Sequence, residues 1–139
     1  MTTSIAEYYL EELHDWRTTI DLYVEQINDA EESLKDIVRF NTIPHLAAKV
    51  EHFSNQLFIS KQNLLYLKTF VQSFERKLYM ERAPISNESI TEDLKEKQNH
   101  LRKDMHSVEK EYLELKYTCD NFLAQAVAIQ TKKKNNQPA

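Results

Sequence analysis

The amino-acid sequence predicts an all-α fold, an antiparallel up-down-up bundle of three helices with coiled-coil packing. Three long segments carry apolar residues spaced alternately three and four apart, which is the period of left-handed coiled-coil packing. None of the 139 residues is glycine, so glycine-rich loops that approach a phosphate closely are not expected. Two short breaks near prolines separate the segments and force neighbouring helices to run antiparallel.

The first two helices are predicted at about 4–40 and 44–81. In the first, an uninterrupted apolar seam runs from Ala6 to Ile37, and Ser4 with Glu7 fits the S-x-x-E capping box of a helix start. In the second, Pro44 is tolerated in the first turn, and the seam contains one small polar residue, Ser60. We expect Ser60 to face Tyr23 of the first helix and to hydrogen-bond its phenol.

The third helix is predicted at about 88–131. Its start fits a second capping box, Ser89 with Glu92, and its seam includes one polar residue, Gln98. Residues 132–139 begin with three lysines and are predicted to be a disordered basic and polar tail. Residues 1–131 therefore form a single three-helix domain, since this length suffices for one core.

Composition excludes several classes of function. Hydrophobic content is 41% and net charge is −4, which argues against a general nucleic-acid binder because such a protein needs a basic face. No run of about 20 apolar residues predicts a membrane span, and residues 1–7 do not resemble a signal peptide. The single cysteine, Cys119, cannot form an internal disulfide. We expect a cytoplasmic, non-enzymatic protein without a cofactor.

Charge distribution supports the pairing of the first two helices. Residues 1–41 hold ten acidic and three basic side chains, a balance of −7, whereas residues 42–85 hold three acidic and six basic ones, a balance of +3. This opposition favours contact between helices one and two and disfavours contact between two copies of helix one.

Two short parts of the sequence, one in helix two and one in helix one, resemble known helical proteins. The segment Val50-Glu51-His52-Phe53-Ser54-Asn55-Gln56 resembles a V-E-H-F-x-N-Q stretch of small uncharacterised bacterial helical proteins, a resemblance that implies no activity or ligand. Trp16 lies on the seam of helix one, which is similar to the position of a tryptophan in spectrin repeats. This second likeness implies a spectrin-repeat-like architecture only.

The candidate functional site is a surplus of apolar residues on helix two. Ile59, Tyr66 and Phe70 lie off the seam but share one face of the helix, and His52 with Asn55 supplies a polar neighbour strip. This face is either covered in part by helix three or exposed for docking. The hypothesis is an interaction, scaffold or adaptor module that binds a protein partner, or a second copy as a homodimer, through helix two.

An alternative hypothesis is a metal- or small-ligand-binding helical bundle. Glu11 and His14 form an E-x-x-H step, the helical spacing used by di-iron carboxylate bundles. Counting along the bundle places His100 at the height of His14. Two imidazoles and a carboxylate would suit zinc or another divalent ion.

Overall fold

The computed structural model describes residues 4–40, 44–80 and 90–135, which form three helices and no strand. The helices are α1 (Ile5–Phe40), α2 (Pro44–Met80) and α3 (Glu92–Asn135). The all-α three-helix bundle that the apolar seams predict is therefore confirmed.

Side-chain oxygens cap the first turns of α1 and α3. The Glu7 amide donates to Ser4 Oγ at 3.1 Å, as the capping box predicts. At α3 the Leu94 amide donates to Thr91 Oγ1 at 3.2 Å, so Thr91 is the N-cap and the helix begins at Glu92. The sequence instead predicted a helix from about residue 88, with Ser89 and Glu92 as its capping box. Ser89 lies outside the described residues. Glu92 is the first residue of α3, whereas the capping box requires it to be the third.

The C-terminal end of α3 differs from the prediction. The helix continues to Asn135, so residues 132–135 are helical, whereas the sequence predicted a disordered tail from residue 132. Lysine is a strong helix former, and cations are favourable in the last turn because the C-terminal end of a helix carries partial negative charge. Residues 136–139 lie outside the described part of the chain.

Ion pairs between the first two helices give their relative direction. Lys61 Nζ lies 3.1 Å from Glu31 Oε1, and Lys68 Nζ lies 2.5 Å from Asp21 Oδ1. The residue numbers rise along one helix as they fall along the other, so α1 and α2 run antiparallel. These two helices also pack most extensively against each other, in agreement with the opposite charges of their sequences.

The contacts between α1 and α3 show that these two helices run parallel, because residue numbers rise together along both. Near one end Gln98 of α3, fully buried, donates to Glu12 Oε1 at 2.8 Å and to the Tyr9 carbonyl at 3.3 Å. Farther along both helices, Tyr112 of α3 reaches Gln26 of α1 at 2.7 Å. The bundle is therefore closed by a parallel α1–α3 pair whose interface contains polar side chains.

The seam residues form the buried core. Leu13, Ile20, Ile27, Leu57 and Leu64 are at most 1% exposed, which agrees with the interdigitated packing of a 3.5-residue repeat. In the described part of the chain one polar side chain, Gln98, is as deeply buried as these.

A tyrosine pair occupies the middle of the α1–α3 interface. The rings of Tyr23 and Tyr112 lie 4.6 Å apart, and Tyr23 Oη donates to Glu109 Oε2 at 2.7 Å. The expected bond from Ser60 is therefore replaced by one to α3, because the longer carboxylate of Glu109 reaches the phenol. Burial, together with the hydrogen bond to Glu109 and its charge, raises the pKa of Tyr23 to about 12. Burial, followed by the charge of Asp120, raises the pKa of Tyr112 to about 12.

Two further predictions concern single features of this fold. Cys119 is buried on the seam as expected, and burial raises the pKa of its thiol to about 11. Within residues 4–40, 44–80 and 90–135, no helix combines the length and apolar character that crossing a membrane requires.

Candidate docking site on the second helix

The five partner-site residues predicted on α2 all lie at its surface. Ile59, Tyr66 and Phe70 are 52%, 68% and 48% exposed, and His52 and Asn55 are exposed as well. At 3.6 residues per turn, all five fall within an arc of about 60° around the helix. We call these five residues the α2 stripe.

The α2 stripe is locally ordered by aromatic contacts. The rings of Tyr66 and Phe70 meet edge to face at 4.9 Å, which is a favoured aromatic geometry. His52 makes a similar contact, at 5.2 Å, with Phe53, whose own ring stacks on Phe122 of α3 at 5.1 Å. Three ring-bearing side chains of the stripe thus make ring contacts while their outer surfaces remain exposed.

The α2 stripe lies in a stretch of the helix that is almost free of charge. Between His52 and Phe74 the only charged residues are Lys61 and Lys68, and both form ion pairs with α1, on another side of the helix. In α1, and in α3 as far as Asp120, every window of five residues contains a charged side chain. Charge depletion combined with exposed aromatic residues is typical of the buried centre of a protein interface.

A groove between α2 and α3 borders the α2 stripe. Its volume is about 630 Å³, and Phe70, Phe74 and Leu101 supply its apolar surface. A smaller groove of about 210 Å³ continues from it along Tyr66 and Val108. These grooves stay open because α3 does not reach the outer parts of the aromatic rings.

Charged residues of α3 form the far rim of the larger groove. Lys97 Nζ lies 3.2 Å from Asp93 Oδ2, and His100 Nε2 lies 3.4 Å from Asp104 Oδ2. Both contacts join residues four apart along α3, which are neighbours on the helix surface. The groove therefore has an α2 wall that is apolar at Phe70 and Phe74 and carries one charge, Lys77, and a rim of mixed charge on α3.

Sequence reasoning missed a second exposed apolar strip, on α3. Leu113 and Tyr117 are 45% and 71% exposed, and Val127 lies on the same side of the helix. These residues also lie off the seam, so the argument that identified the α2 stripe would have found them. Lys110, Glu114 and Asp120 interrupt this strip, which makes it less similar to an interface centre than the α2 stripe.

The predicted metal ligands are not brought together. Glu11 and His14 border a groove between α1 and α2, where His14 Nδ1 lies 2.9 Å from Arg17 Nη2. His100 instead borders the groove between α2 and α3. Over residues 4–40, 44–80 and 90–135 no three histidine, cysteine or carboxylate side chains form a candidate metal site. Equal height along parallel helices does not bring side chains together when they point into different grooves.

The chain matches no protein-family model, no curated protein and no solved structure. The segment Val50–Gln56 lies within α2 and supplies two residues of the α2 stripe. Its resemblance to bacterial helical proteins stays a prediction.

Proposed function

We propose that this protein is a non-enzymatic interaction module, a scaffold or adaptor that docks a protein partner on the α2 stripe. It would act in the cytoplasm, without a cofactor and without binding nucleic acid. The bundle would hold the docking surface rigid, and the binding energy would come from covering the exposed aromatic residues of α2.

One observation carries this proposal. Tyr66 and Phe70 are about half or more exposed and contact each other, in a region of α2 whose only two lysines are engaged by α1. Large exposed aromatic residues without neighbouring charges are unfavourable in water and favourable in a desolvated contact. Tyrosine is also among the residues that most often dominate binding energy at interfaces.

The shape of the surface favours a helical partner. Tyr66 and Phe70 of the α2 stripe line the grooves between α2 and α3, and an amphipathic helix laid there would contact both helices. The aromatic part of the α2 wall, Phe70 and Phe74, would accept the apolar face of such a helix. The charged rim on α3 would remain in contact with water.

Site-specific photocrosslinking in the native cell tests this proposal. A photoreactive phenylalanine analogue replaces Tyr66 in one variant of the full chain and Tyr117 in a second. Tyr117 is the matched control because it is the same residue type, has similar exposure and lies on α3. We expect a discrete crosslinked protein from position 66 and not from position 117, because only position 66 lies in the proposed interface.

Either of two results would contradict the proposal. One is the absence of any crosslink at position 66 in a protein that is folded and expressed at the native level. The other is the same set of crosslinked proteins at positions 66 and 117, which would indicate nonspecific contact by exposed tyrosines.

A further inference from the structure

We infer that the occupant of the α2 stripe is a second copy of this chain, paired through α2 antiparallel to α2 about a two-fold axis near Gln62 and Asn63. This inference rests on the proposed function, since it names the partner that the same surface binds. In this arrangement Ile59 of each protomer lies against Tyr66 of the other. The partner helix also lies beside the groove between α2 and α3, where an amphipathic helix is expected.

Charge is the first argument for a second copy. A two-fold interface brings a surface against itself, so any charge at its centre meets a like charge. The α2 stripe avoids this repulsion because its central residues, from Asn55 to Phe70, are uncharged on the exposed face. Lys61 and Lys68 are turned toward Glu31 and Asp21 of their own α1.

The charges at the two ends of the uncharged region favour the antiparallel direction. Glu51 precedes the region and Arg76 follows it, and both are exposed on the same edge of α2. In an antiparallel pair each edge of α2 lies against the same edge of the partner's α2, which runs in the opposite direction. Glu51 of one protomer therefore approaches Arg76 of the other, and the two-fold axis repeats this contact. A parallel pair would instead set this edge against the opposite edge of the partner helix at the same height, so Glu51 and Arg76, at opposite ends of the uncharged region, would not meet.

The available area predicts a weak dimer. A fully covered aromatic side chain buries roughly 150–250 Å², so the exposed parts of Ile59, Tyr66 and Phe70, with Asn63 and Leu65 beside them, supply on the order of 500 Å² per protomer. A specific interface of standard size buries about 800 Å² per partner. We therefore expect a dimer with a Kd in the micromolar range rather than an obligate one.

Sedimentation velocity on the purified full chain, from about 1 µM to about 1 mM, tests the pairing. We expect a concentration-dependent dimer that Tyr66→Asp weakens by at least about thirtyfold, because a carboxylate at the centre of the interface removes a contact of hot-spot size. The matched control is Tyr79→Asp, since Tyr79 is 60% exposed on α2 but lies away from the α2 stripe. This control should dimerise as the wild type does, and circular dichroism should show equal helicity in all three proteins.

Disulfide trapping tests the direction of the pair. Asn63→Cys lies next to the proposed two-fold axis and should form an interprotomer disulfide under mild oxidation. Ser73→Cys lies on the same side of α2, but in the antiparallel pair the two substituted residues of the two protomers are about 30 Å apart. This variant should therefore not crosslink. The native Cys119 is buried and should stay reduced. A disulfide from Ser73→Cys, with or without one from Asn63→Cys, would overturn the antiparallel arrangement.

A folded wild-type protein that stays monomeric up to about 1 mM would overturn the self-association. Equal weakening by Tyr66→Asp and Tyr79→Asp would overturn the assignment of the surface. Failure of this inference is distinguishable from failure of the proposed function. A monomeric protein that is crosslinked to a different protein at position 66 refutes the second copy and leaves the docking function in place.

Discussion

Removing the carboxylate of Glu12 tests how α3 is held against α1. Glu12 is bound by two atoms of Arg102, with Nε 2.9 Å from Oε2 and Nη2 2.7 Å from Oε1. It also accepts the 2.8 Å hydrogen bond from the fully buried Gln98. Burial opposes its ionisation, but the hydrogen bonds from Arg102 and Gln98 and the charge of Arg102 outweigh burial and lower the pKa of Glu12.

We expect Glu12→Ala to lower the free energy of unfolding by about 2–3 kcal/mol. Most of this comes from Gln98, because a buried amide that loses its short hydrogen bond costs about 1–3 kcal/mol. The pair with Arg102 adds at most about 1 kcal/mol, since the Arg102 side chain is 42% exposed and can be hydrated. For a chain of this length the change corresponds to a decrease in Tm of roughly 7–10 °C.

The matched control is Glu11→Ala, because Glu11 is the adjacent residue on α1, has the same side chain and is exposed. Urea and thermal unfolding at one protein concentration should show a change within about 0.5 kcal/mol for this control. The difference between the two variants should shrink as pH falls below about 4.5. A group whose pKa is lowered in the folded state stabilises that state above its unfolded pKa and loses this effect in acid. Equal effects of the two substitutions at pH 7 would refute the role assigned to Glu12.

Three further predictions concern alkaline stability, helix capping and thiol reactivity. Tyr23 and Tyr112 have pKa values of about 12 in the folded chain and about 10 in the unfolded one; the folded state therefore retains protons that the unfolded state releases, and stability should fall from pH 10 to 12. The urea midpoint of Tyr112→Phe should fall less over this range than that of the wild type, and parallel curves would contradict the assignment. Thr91→Ala should lower the free energy of unfolding by about 1 kcal/mol, as Ser4→Ala should, because each removes the hydroxyl that caps a first turn; denaturant titration measures both losses, and a Thr91 variant as stable as the wild type would place the cap elsewhere. The Cys119 thiol should react with a thiol reagent only as fast as the chain opens, since it is buried with a pKa of about 11; immediate labelling of the native protein would show that α3 is not packed at this position.

Predictions from the apolar repeat were accurate because they depend on local periodicity. The seam positions from Ala6 to Ile37 identify the face of α1 that is buried, with Leu13 and Ile20 fully covered. The surplus apolar residues Tyr66 and Phe70 were also located from helical spacing alone, and the structure exposes both. A period of 3.5 residues specifies which side of a helix faces its neighbours, and thereby which side is exposed to solvent.

Predictions about contacts between particular side chains were less accurate because these depend on helix rotation and side-chain length. Tyr23 was expected to bond Ser60 of α2 but donates to Glu109 of α3. His14 and His100 were placed at one height yet border different grooves. A shift of one residue along the sequence turns a side chain by about 100°, so equal height says little about proximity.

The order of apolar and charged residues was enough to determine that this chain forms three long helices, which of their faces are buried, and that α2 carries aromatic residues beyond those its core needs. These properties are encoded within single helices. Only the tertiary structure decided that Gln98 binds Glu12, and that Phe70 and Tyr66 border open grooves instead of being covered by α3. Those outcomes depend on the rotation and spacing of whole helices, which the sum of many small packing contacts sets together.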